Sequence, residues 1–316
     1  MKGCDYYKPE TVEEAGRIMA SLDGARYIAG GTDVMVLIKQ KKLSPAHLIS
    51  LRNIRELSLL DTAGGLTIGS GVTHARIVQN GWIRNHYSAL VDATERIGSP
   101  QVRNVATVAG NICNAAPSAD TACPLLVLDA KILIVGKNGE RTVAMEDFFL
   151  GPNRTVLEQG EIVRAIVIPK LDENSGSAYI KHTRRKAMEL PLVGIAVRIT
   201  LDAADRPPEW KDALRSAPNA EAMLRKMEAE KFVCRDARIA MGVVSPKPMR
   251  ARKAEAALAG QVISEALLDQ IGALAAAESQ PRDSFRGEAW YRKDMVQVLV
   301  KRAILMSIER IVNAID

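Results

Sequence analysis

Two short stretches of this chain hold residues whose types and spacing suit a long polar ligand. The first is Ala29-Gly30-Gly31-Thr32-Asp33, with Tyr27 and Ile28 just before it. Paired glycines let a backbone approach a ligand closely and turn its N–H groups outward. Residues 25–29 read as a strand and residues 34–38 as the start of a helix, whose positive end would face an anion. Thr32 adds a hydroxyl donor. Such a turn can hold a diphosphate without lysines. Read alone, it is also an ordinary tight strand-to-helix turn.

The second stretch runs from Thr107 to Asp120. It contains Gly110, Asn111, Cys113, Asn114, Ser118 and a lone carboxylate, Asp120, with alanines filling the gaps. A polar segment without bulk can wrap a long ligand and hydrogen-bond it at many points. Its carboxylate suits ribose or ribityl hydroxyls as a charge-assisted acceptor. By itself this could be a plain loop. Two such segments in one α/β region point to a dinucleotide.

Other chemistries lack their residues. Gly69-Ser70-Gly71 has no third glycine at Rossmann spacing. There is no phosphate-binding G-x-x-x-x-G-K-[ST] loop, no H-E-x-x-H and no G-x-S-x-G. His47, His74, His86 and His182 are scattered, and no acid–base pair stands out. The four cysteines, Cys4, Cys113, Cys123 and Cys234, show neither zinc nor iron–sulfur spacing. A bound cofactor must therefore supply the chemistry.

The elements that position these residues belong to an ordinary globular chain. It has 316 residues, 47% of them hydrophobic and 25% charged, enough for two cores. A net charge of +6 with only 4% aromatics argues against nucleic-acid binding. The apolar runs fall short of the ~20 residues of a membrane span, and no signal-peptide core opens the chain. A soluble, cytoplasmic protein is expected. Thr11–Leu22 has helical spacing behind a Thr11 cap. Residues 47–51, 131–135 and 161–168 read as strands, 61–71 as a hairpin and 73–97 as helix. Asp172–Gly176 reads as the linker between domains 1–172 (subdomains 1–55 and 56–172) and 173–316. Beyond it, alternation in 195–201 and 237–243 predicts strands buried on one face. Residues 209–231, 264–276 and 288–312 read as helical.

The two glycine motifs, with Gln101–Ile112, Ala116–Asp120 and the segment Ala237–Glu255, resemble the FAD-binding subunit of molybdenum hydroxylases, and most of all that of bacterial xanthine dehydrogenases. The resemblance spans nearly the whole chain. It implies an α+β protein: a PCMH-type FAD-binding domain of two α/β subdomains, then a C-terminal domain like that of CO dehydrogenase flavoproteins. It implies non-covalent FAD, held by Thr107, Gly110, Asn111 and Asp120, with Ile97 and Val163 as apolar neighbours and Lys181 near the ring. It also implies partners. A small subunit would bear [2Fe–2S] clusters and a large one molybdopterin, in a heterohexamer-type complex. Electrons would pass through FAD to NAD+ or another acceptor. A carbon monoxide, nicotinate or other aromatic hydroxylase has the same kind of subunit. A free-standing PCMH-type oxidase would tether FAD, with His74 the nearest candidate. Segment 203–232 is longer than the turn expected there. The last helix has apolar residues on several sides; either these pack within the chain's own C-terminal domain, or part of this helix or segment 203–232 docks a partner subunit.

Overall fold

The computed structural model describes residues 3–203, 205–207 and 209–314. A first unit consists of β1 (Asp5–Tyr7), α1 (Val12–Ser21), β2 (Ala25–Ile28), α2 (Val34–Lys39) and β3 (His47–Ser50), followed by a 3-10 turn at Arg55–Ser58. Its strands form a parallel sheet in the order β1-β3-β2. The Thr11 hydroxyl accepts the Glu14 N–H at 3.1 Å, as the capping pattern predicts. Val12, Ala15 and Met19 then pack on Ile49, Ile54 and Leu57.

A second, antiparallel sheet has the order β4-β5-β10-β6-β7. Its strands are β4 (Leu60–Asp61), β5 (Gly65–Gly69), β6 (Lys131–Gly136), β7 (Gly139–Ala144) and β10 (Ile162–Pro169). Between β5 and β6 run α3 (His74–Gln79), α4 (Gly81–His86), α5 (Ser88–Glu95), α6 (Pro100–Arg103), α7 (Val108–Cys113) and α8 (Ala122–Val127). Residues 73–97 thus form three short helices rather than one. Asn80 breaks the first by accepting the Ile83 N–H and starting a new turn. Tyr87 breaks the second, its ring buried and its hydroxyl donating to Pro169 O at 2.9 Å. After β7 come α9 (Met145–Phe148) and a small hairpin, β8 (Phe149–Gly151) and β9 (Arg154–Thr155).

The third sheet, antiparallel in the order β11-β12-β13-β14, comprises β11 (Ser175–His182), β12 (Val193–Asp202), β13 (Val233–Gly242) and β14 (Met249–Arg250). Its helices are α10 (Trp210–Arg215), α11 (Ala220–Ala229), α12 (Arg252–Leu258), α13 (Glu265–Glu278) and α14 (Ala289–Val312). The expected one-sided burial does not hold: β12 is buried at every position from Val193 to Leu201. Val193, Ile195, Val197 and Ile199 face the C-terminal core with α14. The intervening small residues face the other way. Ala196 and Ala240 join the same core as Leu90 and Leu125. A Cβ on Gly242 would lie 3.0 Å from Cys123 Sγ of α8. Small side chains that look solvent-facing in the sequence instead admit α8 to close packing.

Both candidate docking segments pack largely within the chain's own C-terminal domain. In 203–232, Trp210, Leu214, Met223, Leu224, Met227 and Phe232 all join the C-terminal core, while residues 204 and 208 lie outside the described residues. Along α14, Val296, Val300, Ile304, Ile308 and Ile311 are fully buried, and only Trp290 and Val298 stand out as exposed large apolar residues. The helix has apolar residues on several sides because β11, β12 and α13 all pack on it.

Candidate functional site

A cleft of about 500 Å³ opens where the three units meet. The β2–α2 loop forms one wall. Gly31 has φ +75°, the left-handed region that glycine tolerates. A Cβ on Gly30 would fall 2.1 Å from Val105 O, so this loop sits directly on the start of the second motif. Tyr27 fixes the loop's base by donating its hydroxyl to Gly160 O at 3.1 Å, and burial pushes that phenol up to about 12.

The second motif folds as α7 and the turn after it. The Thr107 hydroxyl accepts the Gly110 N–H at 2.9 Å. Asn111 Oδ1 accepts from the Thr121 hydroxyl at 2.6 Å, which leaves its NH2 as the group to offer a ligand. Burial pushes the Cys113 thiol up to about 12, so it stays protonated.

Asp120 differs from its expected role as a lone acceptor. Its Oδ1 accepts from the Tyr179 hydroxyl and its Oδ2 from Lys181 Nζ, each at 2.9 Å. Lys181 also donates to Arg96 O at 3.0 Å. The two charged side chains are 6% and 4% exposed. Burial raises the Asp120 pKa against the pull of Lys181 and the tyrosine hydrogen bond. One lone pair on each carboxylate oxygen remains for a ligand.

The cleft gathers Tyr27, Ala29, Gly30, Gly31, Thr32, Asp33, Ile97, Thr107, Gly110, Asn111, Cys113, Asn114, Ser118, Asp120, Val163 and Lys181. Ile28 is not among its walls; its side chain packs beneath Gly31. Other lining residues were missed in the sequence. Met188, Glu189 and Leu190 contribute from the β11–β12 connection and Ser70 from the β5–α3 connection; His74, raised only as a tether for a free-standing oxidase, lines it too from the start of α3. His74 is 1% exposed, and neither ring nitrogen has a partner; the Ser70 hydroxyl is also orphaned. Burial and the Arg103 charge pull His74 down to about 4, so it is neutral. The overlooked signal was Gly69-Ser70-Gly71 before the Thr73 cap. It is another glycine-bearing strand-to-helix turn, set aside because it fails as a Rossmann motif.

Residues 2–171 match the family profile described as the FAD binding domain in molybdopterin dehydrogenase, more than half of the chain. The chain belongs to that family. Residues 215–307 match the CO dehydrogenase flavoprotein C-terminal domain. A putative xanthine dehydrogenase FAD-binding subunit from Escherichia coli is 31% identical over 302 residues, covering 95% of this chain and 94% of the relative. A glyceraldehyde dehydrogenase medium chain from Sulfolobus acidocaldarius is 28% identical, covering 94% and 96%. The solved carbon monoxide dehydrogenase of Hydrogenophaga pseudoflava superposes with a TM-score of 0.83 at 28% identity, covering 97% and 98%. The protein is an FAD-binding medium subunit of the molybdenum hydroxylase family.

The cleft fits the cofactor of that family on its own chemistry. Its volume suits a large ligand. It offers backbone N–H groups at a glycine turn, a free amide, hydroxyls at Thr32 and Ser118, and buried polar atoms that lack partners. Among the described residues no cluster of His, Cys, Asp or Glu could hold a metal ion, and no helix is long and apolar enough to cross a membrane.

Proposed function

We propose that the cleft holds one FAD non-covalently and that the chain relays electrons within a molybdenum hydroxylase of the xanthine dehydrogenase type. Electrons come from [2Fe–2S] clusters on a small partner subunit and leave to NAD+ or a similar acceptor. A large partner subunit bears the molybdopterin, in a heterohexamer-type assembly. One observation supports the relay role best. The buried ionisable groups of the cleft are committed to each other or neutral: Asp120 to Lys181, and His74 uncharged. The chain offers binding without a free acid or base at the bottom of the cleft.

Bound FAD supplies the redox chemistry, taking electrons singly and giving them up as a hydride. The residues of the chain bind and orient it. The 29–33 turn presents N–H groups to the diphosphate. Asn111 and Ser118 offer hydrogen bonds along the ribityl chain. Lys181, held by Asp120 and the Arg96 carbonyl, lines the same cleft.

The purified chain should be yellow with one flavin per chain, and acid precipitation should leave the flavin in the supernatant. Flavin in the pellet would establish a covalent tether instead. Co-expression with ferredoxin-like and molybdopterin-type subunits, followed by NAD+ reduction with xanthine, tests the rest. Activity on nicotinate or carbon monoxide and none on xanthine would move the chain to another branch of the family.

A further inference from the structure

Ser70 and His74 are the two buried side chains of the cleft left without hydrogen-bond partners among the described residues, at 5% and 1% exposure. Buried polar groups in native proteins are normally satisfied, and an orphan is unfavourable because it has lost water and gained nothing. Two orphans facing one cavity from a single five-residue connection call for a common partner.

The connection is held rigidly. The Ser70 N–H donates to Arg164 O at 3.1 Å, and the His74 N–H donates to Ala106 O at 3.0 Å. Between them the Val108 N–H donates to Val72 O at 3.2 Å. The orphans therefore do not arise from a loose loop. These bonds also locate them. Ala106 borders the place where Gly30 meets Val105, and Arg164 adjoins Val163, another lining residue of the cleft. His74 is thus anchored beside the glycine turn and Ser70 beside Val163. The chemistry is neutral: a hydroxyl and an uncharged imidazole each donate once and accept. Such a pair matches a hydroxyl-bearing chain better than a phosphate.

We propose that Ser70 and His74 are non-covalent cofactor ligands that hydrogen-bond the ribityl segment of FAD between the diphosphate turn and the ring. The proposal rests on the FAD reading above. It has a consequence that a structural role lacks. Replacing the orphans with apolar groups weakens the cofactor yet leaves the flavin-free chain as stable as before, or more so, because an unsatisfied group is removed.

The test uses the full chain, stripped of flavin and titrated with FAD by fluorescence, alongside thermal midpoints of the flavin-free protein. His74→Leu should lose about tenfold in FAD affinity and Ser70→Ala about threefold, the worth of one or two neutral hydrogen bonds. Neither should lower the flavin-free midpoint. His74→Gln, which keeps a donor and an acceptor, should recover part of the affinity. Unchanged affinity in both apolar variants, or midpoints that fall in step with affinity, would overturn the assignment. Should His74→Leu fail to fold, Ser70→Ala removes one hydroxyl and decides alone. If the wild-type chain takes up no FAD, the flavin reading fails and this assignment with it; if it binds FAD and the variants bind equally, only the assignment fails.

Discussion

Asp120 and Lys181 form an ion pair with almost no access to water. That changes what a substitution at Asp120 means. Removing the carboxylate deletes a cofactor contact, but it also strands a buried ammonium, and breaking one side of such a pair typically costs ~3–5 kcal/mol. Asp120→Ala should therefore lower the thermal midpoint of the flavin-free chain as well as flavin retention. The double variant Asp120→Ala/Lys181→Met should recover most of the midpoint and not the flavin. A flavin-free midpoint unchanged in Asp120→Ala would mean that the pair is not buried as described. His74 gives a separate pH signature. Its folded pKa is about 4, below the ordinary 6.5, because of burial and the Arg103 charge. The unfolded chain thus binds the proton first as pH falls. The neutral imidazole's contribution is complete above pH 6.5 and is lost progressively towards pH 4, on the order of 3 kcal/mol. Flavin-free His74→Leu should show a shallower loss of stability over that window, measured by urea midpoints. Parallel curves for the two proteins would contradict a buried neutral imidazole.

At the scale of elements, what was legible followed periodicity and punctuation. The β2–loop–α2 unit declared itself through an apolar strand, two glycines and a second apolar run. The β11 strand did not. Its start, Ser175-Gly176-Ser177-Ala178, resembles a linker, and those small residues are there because α5 and α14 press on the strand. A Cβ on Gly176 would lie 2.1 Å from Ser307 O of α14. Composition alone cannot distinguish a flexible linker from a strand kept thin by its neighbours. The two motif glycines differ in the same way. At Gly30 the clash is with the Val105 carbonyl, which is backbone. At Gly110 the nearest atom is the Thr107 hydroxyl at 2.9 Å, a side chain that can rotate. Gly30→Ala should force the first loop off the second and abolish flavin retention, at the ~1–3 kcal/mol typical of overpacking. Gly110→Ala should keep most of its flavin. Flavin content per chain after gel filtration distinguishes them, and equal retention in both would show that the loops do not meet at Gly30.

At the scale of the whole molecule, the covalent boundary near residue 172 is not a boundary in packing. The sheet that begins there lends Tyr179, Ala196 and Ala240 to the core of the preceding helices. It also brings Lys181 to the cleft. Ion pairs reinforce the join. Asp129, just after α8, lies 3.0 Å from Arg198 of β12 and 3.5 Å from Arg238 of β13. Asp92 of α5 receives both terminal nitrogens of Arg310 on α14, at 2.7 and 2.8 Å. Arg310 also donates to Ser177 O, and the Tyr179 N–H donates to Asp92. The strand bearing Lys181 is therefore clamped between α5 and α14. Such a shared core should unfold as one cooperative unit. Arg310→Ala removes a bidentate, partly buried pair and leaves Asp92 with fewer donors, a loss of ~1.5–3 kcal/mol by the usual worth of charged hydrogen bonds. Its thermal midpoint should fall while calorimetry still shows a single transition. Flavin affinity should fall too, although Arg310 does not line the cleft, because Lys181 is held by the strand it clamps. Two separated transitions in either protein, or a flavin affinity untouched by Arg310→Ala, would mean that the C-terminal half folds on its own and that the cleft does not depend on the clamp.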